Sequence, residues 1–495
     1  MTPKQLLDMC DLGSSVAEFD SRLQEYFLET QVYRDFVAGK IDIVSGDKGT
    51  GKSAIFRIVR DRYKLVPELR DVEIIPGFNE KGNPVFQRLT QSSSLPEGQY
   101  TTVWKGFVLS AVGNWLLDLA EGGDYQDLDE LDRLLQALGL RSKEKSPTTI
   151  FSLIANFLRT IASPKSAEVT FSLTETGWPV VAPKLEFHQV QTTAMEGQKI
   201  VYSEDALRFL DSLLKAHELE VWFVLDRLDE AFAGFPQIEV PALRALFRTF
   251  LDFNEFENIK LKLFVRSDLF RRIVGTNFVN LTHVNARKIE IRWSDEDLKS
   301  MLCSRFRDNK DFIRALDVTD SSDDELFKLL FPDQVDAGSR KPKTWQWILT
   351  RIRDGNGIKP PRNLIDLINK ARDVQARREE REGRASPAGQ SLFEPDALRK
   401  ALEALSDQRL NDTLLAENST IASFIEKFRD GKAEHNDESL RGVLSVAGGE
   451  SERIKKELLF AGFLEQVGAS YKIPMLYRGG LRITQGKGFS QDEEE

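Results

Sequence analysis

Ile41-Asp42-Ile43-Val44-Ser45-Gly46-Asp47-Lys48-Gly49-Thr50-Gly51-Lys52-Ser53 begins as a short β-branched run and passes without a gap into G-x-x-x-x-G-K-[ST], Gly46 to Ser53. The segment after it, AIFRIVRDRYKLV, carries apolar residues at helical spacing. Strand, glycine-rich loop and helix form the context in which this motif has a physical meaning. The glycines let backbone N–H groups curl around a β-phosphate, and the helix start adds its positive end. Lys52 reaches the β- and γ-phosphates, and the Ser53 hydroxyl is placed to ligate Mg²⁺. The sequence therefore predicts a nucleoside-triphosphate cradle made of Gly46, Asp47, Lys48, Gly49, Thr50, Gly51, Lys52 and Ser53.

Such a loop needs an acidic residue at the end of a neighbouring strand to hold the magnesium shell. Val221-Trp222-Phe223-Val224-Leu225-Asp226 supplies one, a run of high strand propensity ending in a carboxylate, so Asp226 is the metal candidate beside Ser53. Asp229 and Glu230 come within a turn of it. A carboxylate near the γ-phosphate but not used by the metal can orient and deprotonate the attacking water. Both remain candidates for that base, with Glu230 favoured.

Working outward, Val72 to Ile75, Ile259 to Val265 and Lys288 to Arg292 read as further strands. Residues 204–219 and 240–253 read as helices, as does much of 100–157. A helix is also expected over Val16 to Glu29, and a strand pair at 167–188. Strands alternating with helices predict an α/β fold, a P-loop parallel-sheet core covered on both faces. After Arg292 no strand is expected until about residue 470, and helical segments predict a lid over 293–380. A charged, then Pro- and Gly-containing linker at 381–391 leads to a C-terminal helical region at 392–495. Helix, helix and hairpin predict a winged helix at about 437–485, before an acidic tail. The core is thus 1–292, with an insert at about 84–201 that has the length to carry partner contacts.

VLDRLDEAF resembles the extended Walker B of the STAND and NACHT class, and DKGTGKSAI resembles the Walker A of bacterial STAND-like P-loop ATPases. The resemblance implies an AAA+-related ATPase core with strand order 5-1-4-3-2, and ATP with Mg²⁺ as ligands. It implies a polar sensor on the strand between Walker B and the lid, here Arg266 or Ser267 in LKLFVRSDLF. Gly357-Ile358-Lys359-Pro360-Pro361-Arg362-Asn363-Leu364 is similar to the G-x-P-R-x-L segment that opens an AAA+ lid helix, making Arg362 the second sensor. Lys359-Pro360 departs from the family spacing. Arg227, Arg271 and Arg272 are candidates for an arginine finger acting across a subunit boundary, which implies a homo-oligomer. The resemblance also implies a role in anti-phage or stress signalling with a separate protein effector. ATP binding would close the lid through Arg362.

Composition limits the rivals. The 495 residues are 41% hydrophobic and 29% charged, a globular composition. With 68 Lys and Arg against 78 Asp and Glu, the net charge of −10 does not indicate nucleic acid as a partner, and a local basic patch would be required. Cys10 and Cys303 are far apart and the four histidines have no i,i+4 partner, so no zinc site is encoded locally. No apolar run approaches the length of about 18 residues that would span a bilayer, and the amino terminus lacks a secretory pattern. A cytoplasmic protein without membrane contact is expected. The resemblance implies adenine over guanine, and no N/T-K-x-D guanine reader is evident on the later strands. Two other readings stay open: a DNA-associated ATPase that loads on or remodels nucleic acid, and a nucleotide-gated scaffold with little turnover.

Overall fold

The computed structural model describes residues 1–77, 97–120, 126–142, 170–173, 179–182, 198–199, 203–232, 236–274, 278–384, 390–446 and 448–483. The chain forms two compact units. One comprises Gln31–Gly46 and Lys52–Glu290. The other comprises Met1–Thr30, Asp47–Gly51 and Ile291–Glu495.

The first unit is built on β1 (Ile43–Gly46), β2 (Val72–Pro76), β6 (Glu220–Leu225), β7 (Ile259–Arg266) and β8 (Lys288–Glu290), with β3 (Thr170–Leu173), β4 (Pro179–Ala182) and β5 (Gln198–Lys199) falling between β2 and β6 in the chain. The five larger-sheet strands lie in the order β2-β6-β7-β1-β8, every neighbouring pair parallel. Numbered among themselves and read from β8, they run 5-1-4-3-2, the order the resemblance implied. A parallel sheet is covered on both faces, so its strands read as continuous apolar runs. β6 shows why: Phe223 packs edge-to-face on Phe107 at 5.4 Å, while Trp222 meets Phe36 at 5.6 Å on the opposite face. Phe107 and Trp104 belong to the helix Glu97–Leu119, and Trp104 Nε1 donates to the Ala242 carbonyl of the helix Pro236–Asp252 at 2.8 Å.

A charged cluster enters this core. Lys262 on β7 is 1% exposed, and its ammonium lies 2.7 Å from Asp42 Oδ1 and 3.7 Å above the Trp222 ring. Arg287 Nε donates to the other Asp42 oxygen at 2.6 Å. Burial draws the Lys262 ammonium below its usual range, and Asp42 opposes that shift. β3 and β4 pair antiparallel, as expected for 167–188, with β5 on the other edge of β3. The turn between them, and most of the insert at 84–201, lie outside the described residues.

The second unit is helical. Asp295–Asp308, Asp323–Leu330, Thr344–Ile352, Pro361–Arg381 and Pro395–Arg409 share one core with Ser419–Glu426 and the C-terminal segment beyond it. In that segment β9 (Glu434–His435), the helices Asp437–Leu444 and Gly448–Phe460, β10 (Glu465–Val467) and β11 (Ser470–Lys472) form a winged helix with sheet order β10-β11-β9. β10 and β11 pair antiparallel as the expected hairpin, while β9 corrects the expectation of no strand before about 470. β9 is two residues long, too short to show a period.

A second correction concerns Val16 to Glu29. This stretch is a 3₁₀ turn at Ala17–Phe19 followed by irregular chain, not a helix. Arg305 organises it: its Nη2 lies 3.0 Å from Asp20 Oδ2, and its guanidinium stacks 4.3 Å from the Tyr26 ring, whose hydroxyl donates to Asp20. Gathering Asp20 and Tyr26 around one buried arginine leaves Phe19 at 80% exposure, against its apolar spacing.

Candidate functional site

Parallel register brings the carboxyl ends of β1, β6 and β7 to one edge of the sheet, with Gly46 opposite Arg266. Ligands of open α/β sheets bind at such an edge. Lys52 and Ser53 begin the helix Lys52–Arg62 immediately after the loop. Lys52 Nζ donates to the Gly46 carbonyl at 2.7 Å, across the mouth of its own loop. Ser53 Oγ donates to Asp226 Oδ2 at 2.8 Å, although the two are 173 residues apart in the chain. Asp226, just past β6, is 6% exposed. Burial pushes its carboxyl up to about 6, and the Ser53 hydrogen bond and Lys52 charge pull the other way.

These groups fit a hydrated dication. A serine hydroxyl and a carboxylate, both hard oxygen donors, converge, and the carboxylate is buried in a way that a cation would relieve. The loop fits an anion. Gly49 and Gly51 have φ of +79° and +105°, the left-handed region in which glycine lets the backbone form a concave nest.

The two base candidates are held differently. Asp229 Oδ2 accepts from Arg266 Nη1 at 3.2 Å, and Arg266 binds Asp268 through Nε and Nη2, both at 3.0 Å. Burial works against the Arg266 charge, but Asp268 and Asp229 outweigh it and hold the guanidinium protonated. Glu230 is 43% exposed and lies 3.6 Å from Arg227 Nη1. Arg227 has φ of +57°, and the Glu230 N–H donates to its carbonyl at 3.1 Å, the turn that places both carboxylates after Asp226. Arg266 thus engages carboxylates on both sides. The alternative sensor, Ser267, donates to Glu290 at 3.0 Å.

The loop tip, Asp47–Gly51, groups with the helical unit. There Arg362 N donates to the Gly49 carbonyl at 3.4 Å, and Trp293 Nε1 donates to the Thr50 carbonyl at 2.8 Å. Thr50 Oγ1 closes the tip onto Asp47 O at 2.8 Å, and Lys48 pairs with Glu417. Arg362 is the second residue of Pro361–Arg381, whose proline presets the first turn. The Lys359-Pro360 departure has a structural use: Pro360 is the N-cap and Lys359 pairs with Asp295.

Among the arginine-finger candidates, Arg227 is occupied by Glu230, and Arg272 lies 3.5 Å from Glu239 and 4.0 Å from Asp268. Cys10 and Cys303 are both buried, and burial pushes each thiol up to about 12, far from a nucleophile. Sequence reasoning missed Asp268, Trp293 and Glu417. Asp268 stood inside the LKLFVRSDLF segment that suggested Arg266, so an acidic residue two positions from a sensor arginine was the available signal. Trp293 and Glu417 carry no local signal.

No family model matches the chain, and no curated protein does. Solved structures do. The Aeropyrum pernix ORC2 protein, in ADPNP and ADP complexes, is 13% identical over 94% of this chain and 97% of that chain, with a TM-score of 0.39. The Aeropyrum pernix ORC1 protein in complex with DNA is 12% identical over 95% and 96%, with a TM-score of 0.37. A Walker-type ATPase of Pyrococcus abyssi is 11% identical over 97% and 100%, with a TM-score of 0.39. With TM-scores under 0.5, these likenesses carry no argument about this chain. The sheet order is the one that the resemblance to AAA+-related ATPases implied, and the Gly46–Ser53 loop follows its first strand. Among the described residues no helix is long and apolar enough to cross a membrane.

Proposed function

We propose that the protein binds ATP with Mg²⁺ and hydrolyses it, using the nucleotide state to set the arrangement of its helical unit. The observation that carries this reading is the 2.8 Å hydrogen bond between Ser53 and Asp226 at the foot of a complete P-loop. Ser53 and Asp226 would hold Mg²⁺, which when bound would supply positive charge to offset that of the phosphates. Lys52 leaves the Gly46 carbonyl for the β- and γ-phosphates, and backbone N–H groups of the loop receive the β-phosphate. Asp229, fixed by Arg266, orients the attacking water. Glu230 takes its proton.

Arg362 senses the outcome, because the backbone that carries it is bonded to Gly49. The helix it opens comes after the loop 353–358, which docks on the winged helix. Gly355 N donates to the Gly462 carbonyl at 2.7 Å, and Arg353 Nη2 binds both oxygens of Glu465 at 3.1 Å. A change at the loop tip therefore has a packed route to the winged helix. Nothing in the solved structures it is similar to supports defence signalling or a separate effector, and neither is part of what we propose.

The winged helix itself favours a second reading, a DNA-associated ATPase, and one similar structure is of a protein in complex with DNA. Against it, two of the three basic residues of Gly448–Phe460 are taken up by acids: Arg453 by Glu457 at 2.5 Å, Lys455 by Asp437 at 2.9 Å and Glu452 at 2.8 Å. Fluorescent ATP binding to the wild type and to Asp226→Asn, with and without Mg²⁺, tests the primary reading. Wild-type affinity should rise with Mg²⁺ and the variant's should not. Turnover stimulated by duplex DNA and falling steeply with salt would favour the second reading.

A further inference from the structure

Asp268 lies in the first turn of the helix Ser267–Val274, directly after β7. It holds Arg266 with both oxygens, Oδ1 accepting from Nε and Oδ2 from Nη2, each at 3.0 Å. A guanidinium is planar and its N–H groups form a rigid fork, so a carboxylate that takes Nε and Nη2 also dictates where Nη1 points. Here Nη1 points at Asp229 Oδ2, 3.2 Å away. The Arg266 and Asp268 side chains are 23% and 17% exposed, so the pair is partly withdrawn from water and its geometry is better held than that of a surface pair.

The far side of Asp268 is also braced. Arg272 Nη2 lies 4.0 Å from Oδ2, and Arg272 Nη1 lies 3.5 Å from Glu239. Burial would push the Asp268 carboxyl up, but the Arg266 guanidinium beside it outweighs that and holds it below the usual carboxylate range. The helix start favours the same charged form. A row of alternating charges, Glu239, Arg272, Asp268, Arg266 and Asp229, therefore leads from the helix Pro236–Asp252 to the carboxylate three positions beyond Asp226.

We infer that Asp268 is a positioning residue for hydrolysis: by fixing the Arg266 fork it fixes Asp229, and so the attacking water, without touching the nucleotide. This rests on the hydrolysis reading above. Misplacing a reacting group by about 1 Å costs on the order of 100-fold in rate, so loss of the fork should fall on turnover and not on binding.

The test uses the full-length protein and measures kcat, KM and the affinity for a non-hydrolysable ATP analogue. Asp268→Asn should lower kcat by roughly 10- to 100-fold and leave analogue affinity within about twofold. Asp268→Glu, which keeps the charge, should recover part of the loss. The double variant Asp229→Asn with Asp268→Asn should turn over no more slowly than Asp229→Asn alone, because both changes remove one interaction. Arg266→Lys, which keeps charge but has no fork, covers the case in which Asp268→Asn melts early, and it should show the same kcat loss with binding intact. Wild-type kcat in Asp268→Asn or in Arg266→Lys would overturn the inference, as would losses that multiply in the double variant. A wild-type protein that binds ATP and never turns it over sinks the hydrolysis reading itself, and the inference with it.

Discussion

At Gly49 the backbone stands at φ +79°, and a Cβ there would lie 2.9 Å from the Cβ of Arg362. An L residue in this region costs about 1–2 kcal/mol, and the contact adds to that because the Arg362 Cβ is tied to the backbone and is not the far end of a flexible chain. Gly49→Ala should therefore lower both the melting temperature and ATP affinity, and calorimetric titration of the variant would show it. Arg362→Ala makes a complementary case, since the backbone bond to Gly49 survives and only the guanidinium is lost. It should bind ATP within a few-fold of wild type, yet its turnover should fall by about tenfold or more if the guanidinium meets the γ-phosphate. Lys262 makes a third. Removing one member of a buried ion pair leaves its partner desolvated, at about 3–5 kcal/mol, and Arg287 remains to soften the loss at Asp42. We expect Lys262→Met to cost about 3 kcal/mol in urea unfolding with ATP affinity unchanged. An equal loss of affinity would mean that the buried cluster acts on the site.

Between elements, the loop 353–358 and the turn before β10 meet at backbone distance. A Cβ on Gly355 would sit 2.3 Å from the Leu464 carbonyl oxygen, so Gly355→Ala must part the two segments. If this junction carries the nucleotide signal, Gly355→Ala and Glu465→Lys should leave ATP affinity within about twofold and abolish the ATP-dependent change in hydrogen exchange over 460–467. Unchanged exchange differences in both variants would remove the junction from the route. Elements are also where the legibility of the sequence divides. β1 with its loop, and β6 with Asp226, were readable because each couples a short apolar strand to polar residues next to it in the chain. Arg305 shows the opposite: it gathers Asp20 from 285 positions away and so dissolves a helix that local spacing predicts. Glu417 is 369 positions from Lys48, and its pairing could be seen only after folding. The fork of Arg266 lay between these limits, since Asp268 was two positions away in sequence while Asp229 was 37 positions away.

At the scale of the whole molecule, the net charge of −10 and the pairing of Arg453 and Lys455 with acids weigh against a polyanion as the ligand of the winged helix. On the reading we propose, the nucleotide is the ligand around which the fold is organised. We propose in addition that the protein homo-oligomerises, with Arg271 or another arginine acting across a boundary. This should show as an ATP-dependent mass increase in Glu230→Gln, which is expected to bind ATP without turning it over. The most direct measurement is Mg²⁺-dependent ATP hydrolysis by the purified protein beside Lys52→Ala. We expect wild-type turnover that disappears without Mg²⁺ and in the variant. Equal turnover by Lys52→Ala, or ATP bound by the wild type with no hydrolysis, would contradict the assignment of this chain as a P-loop ATPase.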